Sequence, residues 1–165
     1  GEASNGTGVN STAQADNSAL GSGAVYVFVR SGTQWSQQAY LKASNTGEGA
    51  QFGGVALSGD GRTLVVGAFH EGSRAAGVGG DQANTQAKNA GAGYVFVRTG
   101  QAWAQRAYLK APAPGLEYDF GASLAVSSDG ETVVIGSPRE GSTATGVGMK
   151  AIDDNADSAG AVYLY

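Results

Sequence analysis

The chain has 165 residues, of which 28 are glycine, three are proline and none is cysteine. This length allows one domain with a real core, and the lack of cysteine excludes disulfides and thiol chemistry. Ten basic and 14 acidic residues give a net charge of -4 without a basic cluster, which argues against nucleic acid or an anionic membrane surface as a partner. No run of 18 apolar residues is present, so the sequence predicts no membrane insertion.

Three stretches of the chain repeat one another. Residues 22–43 read SGAVYVFVRSGTQWSQQAYLKA, residues 90–111 read AGAGYVFVRTGQAWAQRAYLKA, and residues 159–165 read AGAVYLY. Short segments rich in Val, Tyr, Phe and Thr and bounded by Gly, Asp, Asn or Ser predict strands. In chain order the predicted strands are Ala24–Val29, Trp35–Lys42, Phe52–Leu57, Thr63–Ala68, Gly93–Arg98 and Ala102–Lys110, followed by the third-copy segments 120–127, 132–137 and 159–165.

The first predicted strand, Ala24–Val29, is apolar on both of its alternating faces. Valines occupy one face, and Tyr26 and Phe28 occupy the other. A strand of this kind is typical of a stack of sheets, so we expect both faces to be covered. Between the first two strands of each later copy, the turns 58–61 and 127–130 contain Asp-Gly, which predicts tight hairpins.

Four-stranded units that recur every 68 or 69 residues predict an all-β fold, a β-propeller-type array of four-stranded antiparallel blades. Residues 1–42 are predicted to form a loop and the outer two strands of a first blade. Residues 52–110 form a complete second blade, and residues 120–165 form the first three strands of a third, about two and a quarter blades in all. Because a propeller generally needs four or more blades to close, we expect either a fragment of a longer polypeptide or an assembly of several copies.

The segments Phe52-Gly53 … Val66-Gly67-Ala68 and Phe120-Gly121 … Ile135-Gly136-Ser137-Pro138 resemble the FG-GAP repeat family, and the YVF and AYLKAS strands look like its bacterial branch. Members of this family form the propellers of integrin α-subunits and of many bacterial surface and secreted proteins. The resemblance implies partner binding through loops on one face and a calcium site in the first turn of each blade, on the opposite face. Here each such turn has one carboxylate, whereas calcium takes six to eight oxygen ligands, so we expect that usual site to be lost.

A cluster of acidic and amide side chains precedes the last predicted strand. Closely spaced carboxylates in a Gly- and Ser-rich loop can wrap a calcium ion, so this cluster is a candidate calcium site. The alternative is a solvated loop that uses Asp and Asn for local turn bonding. The candidate metal residues are Asp153, Asp154, Asn155 and Asp157.

Two loops of about twenty residues, 70–90 and 139–158, join the second strand to the third in their copies. Loops of this length on a rigid scaffold are candidate partner-binding segments. A glutamate recurs where each loop begins, and because it recurs we expect a structural role in which it accepts hydrogen bonds from its own loop. The candidate partner-binding residues are Glu71, Asp81, Asn84, Glu140 and Lys150.

The sequence favours a protein that is not an enzyme. His70 is the only histidine, and nucleophile-elbow, Walker and dinucleotide-binding motifs are absent. We expect a secreted or cell-surface binding or scaffolding module that presents its long loops to a protein or glycan, with calcium as its only possible cofactor. Two alternatives remain: a self-assembling structural protein completed by pairing of edge strands between copies, and an accessory propeller of a larger secreted enzyme. The repeated aromatic residues Trp35, Trp103, Tyr40 and Tyr108 are interpreted as packing between repeats, with an aromatic sugar-binding surface as the alternative.

Overall fold

The structure is a computed structural model that describes residues 2–149 and 153–165. Within these residues the chain forms strands and one short 3-10 helix at Thr12–Ala15. The strands are β1 (Val25–Ser31), β2 (Gln34–Leu41), β3 (Phe52–Leu57), β4 (Thr63–Ala68), β5 (Ala92–Thr99), β6 (Ala102–Leu109), β7 (Ser123–Val126), β8 (Val133–Ser137) and β9 (Ala161–Leu164). No helix in the described ranges has the length and hydropathy that crossing a bilayer requires.

The strands form three antiparallel sheets in which neighbours along the chain are also neighbours in the sheet. The first sheet has the order β1-β2, the central sheet β3-β4-β5-β6 and the third sheet β7-β8-β9. The repeat extends to local irregularities, because β1–β2 and β5–β6 shift register at equivalent pairs, Val27/Phe28 and Val95/Phe96. The all-β, antiparallel fold class predicted from the repeat is confirmed, and β3 and β4 have the predicted bounds.

The two apolar clusters of the core lie between successive sheets. The first cluster joins the central sheet, with Phe52, Tyr94 and Phe96, to Val25 and Val27 of β1. The second joins the other face of the central sheet to the third sheet, and includes Val65, Val95, Phe120, Val133 and Ile135. The central sheet is therefore covered on both faces, which explains why all of β4 is buried.

A close backbone contact between successive sheets accounts for the glycine that precedes the third strand of the first and second repeats. Gly23 and Gly91 have φ angles of +82° and +81°, and a Cβ on either would lie 2.1 Å or 2.0 Å from the carbonyl oxygen of Phe52 or Phe120. Only glycine combines a positive φ with so close an approach. The Phe-Gly segments of the second and third copies are thus seated against the preceding sheet.

The expectation that β1 is covered on both faces is wrong. Val25 and Val27 pack against the central sheet, but Tyr26 is 41% exposed and Phe28 is 52% exposed. The equivalent Tyr94 and Phe96 of β5 are fully buried. The difference arises because the described residues supply a neighbouring sheet on only one side of β1. An apolar pattern on both faces shows that a strand is suited to a stack, and the neighbours decide whether it is buried.

Candidate functional site

The long loop between β4 and β5 lies beside the connection between β2 and β3. In an antiparallel meander these two segments leave the sheets at the same end, opposite the tight turns. Together they enclose a groove of about 650 Å³, which we call the loop-side groove. Its lining includes the polar residues Asn45, Glu48, His70, Gln82, Lys88 and Asn89.

A buried ion pair fixes the base of the loop between β4 and β5. The Nζ of Lys110 lies 2.7 Å from Oε2 of Glu71, and both side chains are at least 96% buried. Lys110 Nζ also donates to the carbonyl of Ser73, while Glu71 accepts from the backbone N–H of Ser73 at 2.9 Å. Burial lowers the pKa of Lys110, and the Glu71 carboxylate opposes that shift. The expected structural role of this glutamate is confirmed, because it bonds to its own loop.

The first sheet contains the same arrangement. Lys42, with no exposed side-chain surface, places its Nζ 2.9 Å from Oε2 of Glu2. The hydroxyl of Tyr40 donates to the other carboxylate oxygen at 2.8 Å. Burial raises the pKa of Glu2, but hydrogen bonds from Lys42, Tyr40 and Ser4 outweigh it and hold the pKa below its ordinary value. In both repeats a lysine after β2 or β6 is thus tied to a glutamate at the start of the long loop.

The third repeat also has this glutamate, but among the described residues no lysine pairs with it. Glu140 is 2% exposed and accepts from the backbone N–H and the hydroxyl of Ser142. Lys150, which the sequence placed among the partner-binding residues, lies outside the described residues. Both Glu71 and Glu140 are buried at the bases of their loops and are not on the exposed loop surfaces.

One wall of the loop-side groove is held by Asn45. Its Nδ2 donates to Oε1 of Glu71 at 2.8 Å, and its Oδ1 accepts from the hydroxyl of Tyr94 at 2.6 Å. Burial, with the nearby Glu71 carboxylate, raises the pKa of Tyr94 well above its usual value, so this hydroxyl stays protonated and acts as a donor. On the groove's other side, His70 Nδ1 lies 2.8 Å from Nε2 of Gln51.

The tip of the loop between β4 and β5 is exposed, and its polar side chains bond to backbone groups of the same loop. Asp81 accepts from the backbone N–H of Ala83 at 2.9 Å, and Asn84 accepts from that of Gln86 at 3.2 Å. These are local Asx turns, which leave the remaining polar atoms of both side chains directed to solvent. Of the partner-binding candidates, Asp81 and Asn84 are the two whose side chains the structure places on an accessible surface.

The acidic cluster at 153–157 does not converge on one point. Asp153 accepts from the backbone N–H and hydroxyl of Thr143, at 2.9 and 2.7 Å, and these bonds hold its pKa below the usual range. Asp154 accepts from the hydroxyl of Tyr118 at 3.0 Å, and Asp157 from that of Ser158 at 3.2 Å. No group of three acidic or histidine side chains suited to a metal occurs within residues 2–149 and 153–165. Calcium at Asp153, Asp154, Asn155 and Asp157 therefore stays a prediction.

The single carboxylate of each tight turn closes that turn. Asp60 accepts from the hydroxyl of Ser58 at 2.6 Å and from the backbone N–H of Arg62 at 2.9 Å. Asp129 does the same with Ser127 and Glu131. These bonds hold the pKa of both aspartates below the usual range. The shared geometry explains why Ser-x-Asp-Gly recurs in the sequence.

Sequence reasoning identified the recurrent glutamates but missed their lysine partners. The signal was present, because a Tyr-Leu-Lys sequence ends both β2 and β6 just as a glutamate begins each long loop. A lysine in a strand that is otherwise apolar at its end is expected to be paired when buried. Asn45 carried no such signal, because its counterpart in the next copy is Ala113.

Comparison with known protein families gives a match over part of the chain. Residues 35–96 match the family model described as FG-GAP repeat. The matched segment runs from β2 into β5 and contains both Phe52-Gly53 and Val66-Gly67-Ala68. No curated protein matches the chain.

Proposed function

Because residues 35–96 match the FG-GAP repeat model, we propose that the chain is a non-enzymatic extracellular module of the propeller type. It binds a protein or glycan partner through the loop-side groove. The observation that carries this proposal is the construction of the groove, whose base is fixed by the buried Glu71–Lys110 pair while its rim is exposed. A fixed base beneath an accessible rim is how loops on a rigid scaffold bind partners.

The chemistry of the rim suits a hydroxyl-rich or polar partner. Gln82 and Asn89 carry amide groups that both donate and accept, Lys88 adds a cation and Glu48 adds an anion. The Lys88 side chain is 78% exposed and only loosely paired, with its Nζ 3.7 Å from Glu117. A partner could therefore take over this lysine at little cost, because an exposed ion pair contributes about 1 kcal/mol or less.

The proposal is tested by binding of the 165-residue chain to immobilised panels of glycans and of extracellular proteins. The groove variant is Gln82→Ala combined with Lys88→Ala, and the matched control is Gln101→Ala, an exposed glutamine at the opposite end of the central sheet. We expect at least one specific interaction, weakened roughly thirtyfold in the groove variant because two hydrogen bonds of about 1 kcal/mol each are lost. The control is expected to bind like the wild type.

Two outcomes contradict the proposal. The first is that no glycan or protein binds, and the second is that the groove variant and wild type bind equally. The non-enzymatic part has its own measurement, since a bound glycan recovered from the complex is expected to have an unchanged mass. A cleaved or modified glycan would contradict that part alone.

A self-assembling structural protein is the second candidate, favoured by apolar surface at both ends of the stack of sheets. Tyr26 and Phe28 are exposed at one end, and Val162 and Leu164, 65% and 71% exposed, at the other. Two different apolar surfaces can associate head to tail and so form rings or filaments. Sedimentation velocity over a range of concentrations tests this candidate. We expect mass to grow with concentration and Phe28→Glu to prevent it, and a monomer at every concentration contradicts the candidate.

A further inference from the structure

The buried carboxylate of Glu71 contacts two nitrogen-bearing side chains from opposite ends of the second repeat. Its Oε2 lies 2.7 Å from Nζ of Lys110, which directly follows β6, and its Oε1 accepts from Nδ2 of Asn45 at 2.8 Å. Asn45 lies in the connection that precedes β3. A lysine ammonium and a carboxamide are thus held against the two oxygens of one carboxyl group.

The oxygen of the same carboxamide is held by a tyrosine. The hydroxyl of Tyr94, a residue with no exposed surface, donates to Oδ1 of Asn45 at 2.6 Å. Because burial raises the pKa of Tyr94 well above its usual value, the hydroxyl keeps its proton and stabilises negative charge that develops on Oδ1. The Asn45 amide therefore has a hydrogen-bond donor on its oxygen and a carboxylate on its nitrogen.

The surroundings of Lys110 favour its neutral, nucleophilic form. Its side chain has no exposed surface, and this burial lowers its pKa, although the Glu71 carboxylate opposes the shift. Transfer of one proton from the ammonium to the carboxylate replaces two buried charges by two neutral groups. At 2.7 Å, Glu71 is within the distance that a general base requires, and a desolvated lysine next to a base is an activated nucleophile.

The amide distinguishes the second repeat from the third. The position that precedes the first strand of a repeat is Asn45 in one copy and Ala113 in the next. In the third repeat, Glu140 still bonds to its own loop through Ser142, so the base of the loop does not require an amide at this position. The packing that the repeats share therefore does not account for Asn45.

We propose that Lys110 and Asn45 form an intramolecular isopeptide bond in a reaction that the folded chain itself catalyses. Glu71 first takes a proton from the Lys110 ammonium. The flexible four-carbon stem of the lysine then lets Nζ move from the carboxylate to Cγ of Asn45, with which its electron pair forms a bond. Negative charge develops on Oδ1, where the Tyr94 hydroxyl donates.

The second half of the reaction releases ammonia and needs no other reactant. Glu71 passes its proton to Nδ2, the carbonyl of Asn45 re-forms, and the Cγ–Nδ2 bond breaks with its electron pair going to nitrogen. Glu71 next accepts a second proton from Nζ and gives it to the ammonia, which departs as ammonium with the positive charge of the lysine. Glu71 ends as a carboxylate, and no atom is oxidised or reduced. Asn45 lines the loop-side groove, which gives the ammonium a route to solvent.

The bond closes the second repeat covalently. All four strands of the central sheet, β3 to β6, lie between residues 45 and 110, so the link encloses them in one ring. A cross-link that closes a long stretch of chain restricts the unfolded state and so stabilises the folded one. This modification requires no partner and therefore goes beyond the proposed binding function.

The test is the intact mass of the folded 165-residue chain. We expect the wild type to be lighter by one ammonia molecule than the mass calculated from its sequence, and Asn45→Ala and Lys110→Met to have their calculated masses. Asn45→Ala keeps the Lys110–Glu71 ion pair, so its folding does not involve an unpaired buried charge. The matched control is Asn84→Ala at the exposed loop tip, which is expected to lose ammonia as the wild type does.

Digestion of the denatured protein with trypsin locates the bond. Because trypsin does not cleave after a lysine whose Nζ is acylated, we expect residues 43–62 to be joined to residues 107–139. Cleavage after Lys42 is expected to proceed normally and supplies an internal reference.

Three results overturn the proposal. They are a wild-type mass equal to the calculated mass, a mass deficit that persists in Asn45→Ala, and normal tryptic cleavage after Lys110 with no joined peptides. The last result would assign the lost ammonia to closure of an asparagine side chain on its own backbone. None of these measurements involves a ligand, so this proposal and the proposal for the loop-side groove fail independently.

Discussion

The first and central sheets show what neighbours contribute to a repeat, because nearly the same sequence meets two environments. Trp103 of β6 is 7% exposed and donates its indole N–H to Gln38 of the preceding sheet at 2.9 Å. The equivalent Trp35 is 65% exposed. Phe96 is fully buried, whereas the equivalent Phe28 is 52% exposed. Each repeat thus carries aromatic side chains that are suited to packing against an adjacent sheet. In the described part of the chain, only the central sheet has an adjacent sheet on both faces.

Contacts between successive sheets are therefore expected to contribute unequally to stability along the chain. A repeat array is stabilised by the interfaces between adjacent units as well as by each unit, so one residue type at one repeat position contributes differently along the chain. Variants at equivalent positions measure that difference directly. Because the same substitution is made at both positions, a difference in the free energy of unfolding reports the surroundings of the residue and not its type.

The largest difference is expected for phenylalanine. Phe96→Ala removes a fully buried ring that packs against Phe52, with centroids 6.1 Å apart, and is expected to lower the free energy of unfolding by about 3–5 kcal/mol. Phe28→Ala is expected to cost less than about 1 kcal/mol, because half of that ring already contacts solvent. Urea denaturation monitored by circular dichroism measures both. Equal losses would mean that the exposed face of β1 is covered in solution.

The all-β fold was predictable because the sequence pattern of the four-stranded unit recurs along the chain. The short apolar segments of β3 and β4, bounded by Gly, Asp and Ser, predicted the strand bounds, and the spacing of 68 or 69 residues predicted the unit. Burial was not predictable from these patterns. Tyr26 and Tyr94 have nearly the same local sequence, and the difference in their burial depends on which sheets lie beside them.

The next largest difference in the free energy of unfolding is expected between the glutamates of the second and third repeats. Glu71→Gln leaves the Lys110 ammonium buried without a carboxylate and is expected to cost about 3–5 kcal/mol. Glu140→Gln leaves no cation unpaired among the described residues. Its expected cost in the free energy of unfolding is therefore below about 1 kcal/mol. Thermal and chemical unfolding of the two variants in parallel measures the difference. A loss for Glu140→Gln as large as that for Glu71→Gln would show that a cation already occupies this position.

A smaller difference is expected at the glycine before the third strand. Gly160 has a φ angle of +76°, but its nearest heavy atom to an added Cβ is the Pro138 carbonyl oxygen, at 3.3 Å. Gly160→Ala is therefore expected to cost only the backbone penalty of about 1–2 kcal/mol. Gly91→Ala adds a clash with the Phe120 carbonyl and is expected to cost more. Equal losses of unfolding free energy in the two variants would argue against the close contact between the central and third sheets.

The smallest effect is a dependence on pH through Glu2. Its pKa is held below the ordinary value of 4.5, so its stabilising contribution is complete above pH 4.5 and is lost as the pH falls through the lower, folded-state pKa. Glu2→Gln is expected to remove this part of the acid dependence of the melting temperature. If the variant and wild type lose stability in parallel below pH 4.5, the Glu2–Lys42 pair does not contribute in this way.

The candidate sites were only partly predictable, for a physical reason. The glutamate that recurs in every copy can be recognised from the sequence alone. The pairing of Glu71 with Lys110 cannot, because it depends on the way the long loop folds back on β6. The loop-side groove depends on Asn45, which has no counterpart in the next copy. The acidic residues at 153–157 are dense in sequence, yet their carboxylates bond to different neighbours.

The central claim, that equivalent positions differ only through their neighbours, is tested most directly with the two tryptophans. Trp35→Phe leaves Trp103 as the sole reporter, and Trp103→Phe leaves Trp35. We expect Trp103 to emit at shorter wavelength and to be quenched weakly by acrylamide, and Trp35 to emit at longer wavelength and to be quenched strongly, following their exposures of 7% and 65%. Equal emission and equal quenching of the two would contradict the account.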